Sequence, residues 1–498
     1  MEHQKKLLNL IKEDNNINTI SKKMCISEFS VKTECIELFK KLDNFENILL
    51  SSIKNEYDSI LKLVDLKLDD KIELDNSLSE EQKICVNHAC ENKSIFITSS
   101  AGCGKTYCLK EIIRVMKLKY SKEAIGVTSL SGCSSKLING TTVHSYLKIG
   151  LARKSADGLF NDLKTKYLAK YTILKIKLKI LIIDEISMMD KVLFEKISEY
   201  LQLIKESDLP FGGIQVILCG DFCQLAPVSK SGYCFESNIW KDLNLLCINL
   251  TIQFRQNEDP EFKKILTKLR FGQIDDEIYE KLLKCKSSSM EINGIKPTRL
   301  FSINKYVDLI NQNELKKMIE KNGGKSIKFT IIVKSDRNIL IKNIIKSGQI
   351  LENIELTLGA QVMVTYNIDI YNGLVNGTLG IIINMDQKNK VFIKTITNEI
   401  FEINYIDYVH IDDDSSSILF SYMPLKLAFS YSIHKAQGQT IDYLSIDFKN
   451  VFTFGQSYTA LSRAKSMDRL VLTNLTKKSF KCHPKVLKFY KNIDNLVI

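Results

Sequence analysis

The chain carries only 6 Pro and 1 Trp in 498 residues, and from Met1 to Ala101 it has neither Gly nor Pro. A stretch that long without either residue lacks the punctuation of a loop-rich fold, and apolar residues recur at helical spacing in SEFSVKTECIELFKKLDNFENILLSSI. Residues 1–76 are therefore expected to form a helical N-terminal segment, in which no functional motif can be read. No apolar run approaches the ~20 residues that span a bilayer, and the opening MEHQKKLLNLIKEDNN has neither a signal-peptide core nor an Arg-rich transit pattern. The expected setting is intracellular, with no membrane partner. The 13 Cys include no CxxC pair; Cys85/Cys90, Cys103/Cys108 and Cys219/Cys223 come nearest, and none has the spacing of a zinc ribbon or an iron–sulfur site. Free thiols in a reducing compartment are expected.

What is present points to a folded, multidomain chain. Domains run to ~100–200 residues, so this length calls for two to four of them. With 44% hydrophobic and 26% charged residues, the composition excludes a disordered or collagen-like chain. The net charge is +12, but residues 1–76 set twelve Lys against fifteen Asp and Glu, a balance of −3, which leaves +15 on the other 422 residues. The basic surface belongs to the body of the chain. A polyanionic partner and a simple solubility role both fit such an excess.

From Ser94 onward, short apolar runs alternate with helical stretches: SIFITSS, AIGVTSL, KILIIDE and IQVILCGD, with SMMDKVLFEKISEYLQLIK between the last two. This pattern predicts an α/β fold with a parallel sheet covered on both faces, whose functional residues gather at the carboxyl ends of the strands. Residues 255–345 read mainly as helices with short strands. The segment GTLGIIINMDQKNKVFIKTITNEIFEINYIDYVHI alternates like a small antiparallel barrel, and an α/β pattern resumes near Leu425. A second α/β domain interrupted by a β insertion is the simplest account.

Ile97-Thr98-Ser99-Ser100-Ala101-Gly102-Cys103-Gly104-Lys105-Thr106 follows an apolar strand and opens the helical stretch CLKEIIRVMKL, which is the setting of a P-loop. Backbone N–H groups of Ser99 to Thr106 can surround phosphates, Lys105 adds a point charge, and the Thr106 hydroxyl can ligate Mg²⁺. Ser99 stands where the GxxxxGK[ST] pattern has its first Gly. Asp184 and Glu185 end a second strand, placed to hold Mg²⁺ through water and to orient or deprotonate an attacking water respectively. A third strand ends in Cys219-Gly220-Asp221-Phe222-Cys223-Gln224, from which Gln224 can reach a γ-phosphate. Only 8 residues are Arg, against 62 Lys. Arg255 in TIQFRQ and Arg463 in ALSRA are candidate arginine fingers contributed across a cleft, whereas Arg270, Arg299, Arg337 and Arg469 read as structural or surface residues.

At this point the sequence resembles the Pif-one type of superfamily 1 DNA helicases, relatives of RecD. The resemblance rests on LIIDEISMMD, PFGGIQ leading into LCGDFCQLAPV, TTVHSY, FRQNEDPEF, GAQVM, LVNGTLG, SIHKAQGQT and GQSYTALSRA, and covers residues 78–475 in the family's order. It implies two RecA-like P-loop domains with ATP between them, moving 5′-to-3′ on single-stranded DNA. The implied boundaries are a first motor domain at 77–250 with a small insertion at 147–172, a second in two parts at 251–364 and 424–498, and an SH3-like β insertion at 365–423. By resemblance, Gln82 reads adenine, Lys105 and Thr106 hold phosphates and Mg²⁺, Asp184 and Glu185 serve metal and water, and Gln224 meets the γ-phosphate. Arg255 and Arg463 are fingers, and Gly438 lies near the nucleotide. Thr128, His144, Ser432, His434 and Lys435 are the implied DNA contacts. The departures are Ser99 for Gly, Cys223 for an aromatic or apolar residue, and Ala226 for Pro.

Read without the family, Lys164, Lys166 and Lys170 interleaved with Tyr167 and Tyr171 suit phosphate contact and base stacking, or a solvated face. Lys175, Lys177 and Lys179 alternate with Leu174, Ile176, Leu178 and Ile180, as in a half-buried strand. The C-terminal run from Lys477 to Lys491 reads as a solvated charge run. The expected activity is that of an ATP-dependent DNA helicase using ATP and Mg²⁺ on single-stranded and forked DNA. It would act as a monomer beside replication or repair proteins, in replication, repair, recombination or telomere maintenance, in the nucleus or a viral replication compartment. The competing readings are a translocase that does not separate strands, a catalytically silent DNA-binding subunit, and an ATPase acting on protein or a metabolite.

Overall fold

The structure, a computed structural model, describes residues 74–493 apart from Val228, Lys230, 286–290, Ile303, 335–350, Ile370, 387–389, 412–416 and Phe452. The helical reading of residues 1–76 lies almost wholly outside the described residues, as does Arg337. The chain divides into two compact units. Of the described residues, the first holds 74–78 with Glu111–Ile125; there the Asp75 amide donates to Glu111 Oε1 at 3.1 Å, and Arg114 forks onto the same carboxylate at 2.7 Å. The second, Ser79–Lys110 with Gly126 onward, holds the sites described below.

The strands β1 (Ile95–Ser99), β2 (Ile125–Ser129), β3 (Thr141–Thr142), β4 (Ile180–Asp184), β5 (Gln215–Cys219) and β6 (Leu246–Leu250) form one sheet in the order β3-β2-β4-β5-β1-β6. Its registered pairs are parallel. Every residue of β1, β4 and β5 is buried, which is why IFITS, ILIID and QVILC read as apolar runs without alternation. The helix Lys191–Lys205 covers this sheet with Phe194, Ile197, Leu201 and Ile204, spaced at three and four residues along one face. Its first turn is fixed by Asp190, whose side chain accepts from the Leu193 amide at 2.8 Å.

A second parallel sheet is ordered Ser430–Ser432, Thr298–Phe301, Leu444–Asp447, Leu470–Thr473. Between its first two sequence segments lies an antiparallel module. Its main sheet runs Ile400–Ile403, Val391–Thr395, Leu379–Met385, Gln361–Val364, Leu425–Leu427. This sheet therefore recruits strands from both sides of 365–423, and the α/β pattern resumes at Ser430 rather than near Leu425. Phe329, Ile354, Leu356, Val362, Ile393 and Leu425 share its core. Gln361–Val364 is buried at all four positions, so it carries no alternation to mark it as antiparallel.

Two local readings change. Ile173–Lys177 is a π-helical turn, not a half-buried strand: Leu174 and Leu178 are buried one turn apart, and Ile176 between them is exposed. The C-terminal helix Pro484–Ile493, grouped above with the second motor domain, packs Val486, Tyr490 and Ile493 into the core of the first. The lysines of that region are partly paired, Lys477 with Asp276 and Lys485 with Glu236.

Candidate active site

Strand β1 ends at Ser99, and the loop that follows turns through Gly102 at φ +86° and Gly104 at φ +76° into the helix Lys105–Lys119. Ser99 itself has no positive φ, so a side chain costs nothing where the pattern has Gly. Its hydroxyl donates to the Ser100 carbonyl at 2.7 Å and accepts from Lys105 Nζ at 2.8 Å. Lys105 Nζ also reaches the carbonyls of Ser99 and Ser100 at 3.0 and 3.2 Å. Gly102 is required twice, by its backbone conformation and because a Cβ there would stand 2.8 Å from the Cβ of Arg255. Gln82 is buried, caps its own helix through Ser79, and donates from Nε2 to the Gly104 carbonyl at 3.3 Å. The second sheet's side also grips the loop: the Tyr458 hydroxyl accepts from the Ala101 amide at 2.9 Å.

Asp184 closes β4, and Glu185 follows in the left-handed region at φ +55°, which an acidic residue adopts at some cost and which aims its carboxylate off the sheet edge. Both are buried. Burial and the neighbouring Glu185 carboxylate raise Asp184 to about 7. Burial likewise raises Glu185, against the pull of Lys105, Arg463 and Gln437. An unfolded chain releases the Asp184 proton near its ordinary value of 3.8, before the folded one does. The stability from this site is therefore full below about pH 4 and is lost as the pH rises toward 7. Asp184→Asn escapes that loss. Without ligand, its melting temperature is expected to rise relative to the parent chain between pH 5 and pH 8; a gap that stays constant with pH would contradict the assignment.

Strand β5 leads to Asp221, which sits at the centre of a buried network. Arg270 meets it through Nε and Nη2 at 3.0 to 3.3 Å. The Tyr490 hydroxyl donates to it at 3.1 Å, and Gln224 Nε2 does so at 3.3 Å. Burial opposes the Asp221 charge, but the Arg270 guanidinium outweighs it and holds the carboxyl below its usual range. Arg270 is thus structural and interior, not a surface residue, whereas Arg299 and Arg469 are paired nearer the surface with Glu314 and Asp468. Arg270→Met would leave Asp221 charged and unpaired, which should cost ~3–5 kcal/mol. Urea unfolding would measure this, and a loss under ~1 kcal/mol would contradict the pairing. Gln224 is fixed from behind by Gly455, where a Cβ would fall 1.9 Å from the Gln224 carbonyl oxygen.

Arg255 and Arg463 both lie at this cleft. The Arg255 amide donates to the Gly102 carbonyl at 3.3 Å, and its guanidinium reaches the carbonyls of Ser462 at 2.9 Å and Gly438 at 3.3 Å. Burial and the Arg463 guanidinium both push Arg255 down from its usual range, yet a guanidinium keeps its charge at neutral pH. Arg463 is 1% exposed, bonded to the carbonyls of Thr459, Ala436 and Gln439, and its charge acts on Glu185. The structure thus gathers Gln82, Lys105, Asp184, Glu185, Gln224, Arg255, Gly438 and Arg463 around one cleft. Three glutamines there had no role read for them. Gln253 Nε2 holds the P-loop at Ser100 Oγ (3.0 Å), Gln256 Nε2 meets the Ala464 carbonyl (2.8 Å), and Gln437 Nε2 meets Glu185 Oε2 (2.7 Å). All three lie inside motifs already quoted, Gln253 and Gln256 in TIQFRQ and Gln437 in SIHKAQGQT, but a single Gln carries no pattern of its own.

The DNA candidates divide. Lys435 is exposed and His434 half-buried on the short helix Ile433–Ala436, and His144 is half-buried on Val143–Tyr146. Burial lowers the pKa of both histidines from its usual value. Thr128 and Ser432 are corrected: both are 0% exposed. Thr128 Oγ1 donates to the Ile182 carbonyl at 2.7 Å inside the sheet, and the Ser432 hydroxyl caps the helix by accepting from the Lys435 amide at 3.3 Å. Of the Lys164–Tyr171 cluster, Lys170 is buried over the Tyr146 ring, Lys164 lies over Phe160, and the exposed Lys166 pairs with Asp162 at 2.9 Å. A cavity of about 620 Å³ instead joins Lys136, Tyr366, Tyr422, Lys426 and Lys435, a combination suited to phosphates and stacked bases.

The profile of the PIF1-like helicase family matches residues 77–280, and that of the DNA helicase Pif1 2B domain matches residues 341–385. The chain is 34% identical to ATP-dependent DNA helicase PIF1 of Xenopus laevis over 83% of its own length. It spans 64% of that protein, and the same share of the zebrafish and human PIF1 helicases. The crystal structure of Pif1 helicase from Candida albicans is 31% identical, with a TM-score of 0.66 over 84% of this chain and 99% of that one. The structure of Pif1 helicase from Bacteroides in complex with ADP-AlF3 and ssDNA is 25% identical, with a TM-score of 0.56 over 84% of this chain and 98% of that one.

Proposed function

Because this chain belongs to the PIF1-like helicase family, we propose that it is an ATP-dependent DNA helicase that moves 5′-to-3′ on single-stranded DNA and separates forked duplex. The observation that carries this reading is that one cleft is built from both parallel sheets. The first sheet supplies Lys105 and Glu185, and the second supplies Gln437 and Arg463. A site divided in this way changes when the two halves move, which is what converts hydrolysis into motion.

Each residue's part follows from its place. The amides of the Ser99–Thr106 loop and Lys105 hold the phosphates, and Gln82 braces the loop from the adenine side. Glu185 takes the proton of the attacking water, Gln224 lies in reach of the terminal phosphate, and Arg255 and Arg463 stabilise charge as it develops. The Thr106 hydroxyl and the Asp184 carboxylate are hard oxygen donors that fit Mg²⁺, and a cation relieves the burial that raises Asp184. When bound, Mg²⁺ neutralises phosphate oxygens. The cavity near Lys435 supports single-stranded DNA as the track, and the Bacteroides protein's binding of ADP-AlF3 and ssDNA supports both ligands. We place the chain on DNA as a monomer, in replication, repair or recombination. Hydrolysis assayed with and without an oligonucleotide tests the reading: single-stranded DNA should raise turnover at least ~10-fold. Turnover indifferent to DNA would favour an ATPase acting on protein or a metabolite.

A further inference from the structure

Gln437 follows the short helix Ile433–Ala436 and is buried. Its Nε2 donates to Glu185 Oε2 at 2.7 Å, while its Oε1 is buried with no partner among the described residues. The reverse orientation would set two acceptor oxygens against each other, so the amide's direction is dictated by the carboxylate. An unpartnered amide oxygen beside a carboxylate offers two acceptors at one spot, and a water molecule is the donor that satisfies both.

The same turn reaches the proposed DNA face. His434 and Lys435 lie three and two residues before Gln437, and Lys435 lines the 620 Å³ cavity. The turn is tied as one piece. The Ser432 hydroxyl caps it, the Gln437 amide donates to the His434 carbonyl at 3.4 Å, and Arg255 Nη2 bonds the carbonyl of Gly438 at 3.3 Å. A displacement at residues 434–435 is therefore passed to Gln437 rather than absorbed between them.

We propose that Gln437 is a positioning residue for the attacking water, and the link through which single-stranded DNA at His434 and Lys435 sets the orientation of Glu185. The link rests on the helicase reading above. It gives hydrolysis a dependence on DNA that needs no motion of the P-loop.

Gln437→Leu keeps the size and removes both polar ends. At saturating oligonucleotide, its kcat should fall ~10–100-fold toward its own DNA-free rate. KM for ATP and the oligonucleotide dissociation constant should stay within about twofold of the parent. Gln437→Glu, which keeps the length and the acceptors but loses the donor, should uncouple in the same way, and thermal melts report whether either variant folds. Stimulation by DNA equal to the parent's in a folded variant overturns the link alone. So does a loss explained by raised KM or weakened DNA binding. A parent chain that shows no stimulation at all overturns the helicase reading, and the link with it.

Discussion

Replacement of Lys105 by alanine is expected to lower DNA-stimulated ATP turnover by at least ~10²–10³-fold while leaving single-stranded DNA binding largely intact. Lys105 is the one cationic side chain on the loop from Ser99 to Thr106, and its Nζ lies at 2.8 to 3.2 Å from the loop's own oxygens. No other group on the loop can take over that charge. Arginine should not rescue it, because a planar fork cannot sit where a compact ammonium is folded back along the loop. The DNA candidates His434 and Lys435 stand on a different turn, so oligonucleotide affinity should survive. Hydrolysis undiminished in the variant would remove the P-loop from the account.

Arg463→Ala is expected to cost ~10³-fold or more in kcat, the range of a lost arginine finger. The guanidinium is 1% exposed, and its charge already acts on Glu185. Its two contacts to Ala436 and Gln439, at 3.4 Å, are long enough to exchange for a phosphate oxygen, whereas the 2.8 Å bond from Nε to Thr459 anchors the side chain. Arg463→Lys should fail almost as badly, since one ammonium cannot keep the anchor and reach forward together. ADP affinity should change little, because a finger acts on the phosphoryl group that ADP lacks. Turnover within about tenfold of the parent, together with a lower melting temperature, would make Arg463 a structural anchor only.

The parts of this site that the sequence shows are those whose chemistry is local. The P-loop, Asp184-Glu185 and the Gln224 turn each follow a buried strand directly, so strand, turn and reactive side chain lie within ten residues of one another. What it conceals depends on partners far along the chain. Arg270 could be read only as structural or surface because its partner, Asp221, is 49 positions away. Tyr490 bonds Thr98 across 392 positions, so the helix Pro484–Ile493 could not be assigned to the first core from its own stripe. The resemblance implied DNA contacts for Thr128 and Ser432, yet their buried hydroxyls serve the sheet and the helix cap, and of the turn that follows Ser432 it is Lys435 that is exposed. The antiparallel module overran its expected limits because the flanking strand Gln361–Val364 is buried on both faces and shows no period of two.

Strand displacement tests the central claim most directly, using duplexes with a single-stranded tail at either the 5′ or the 3′ side, with and without ATP. The account predicts separation from the 5′-tailed duplex only, requiring ATP and absent in the Lys105→Ala chain. Separation from the 3′ tail, or separation without ATP, would contradict it.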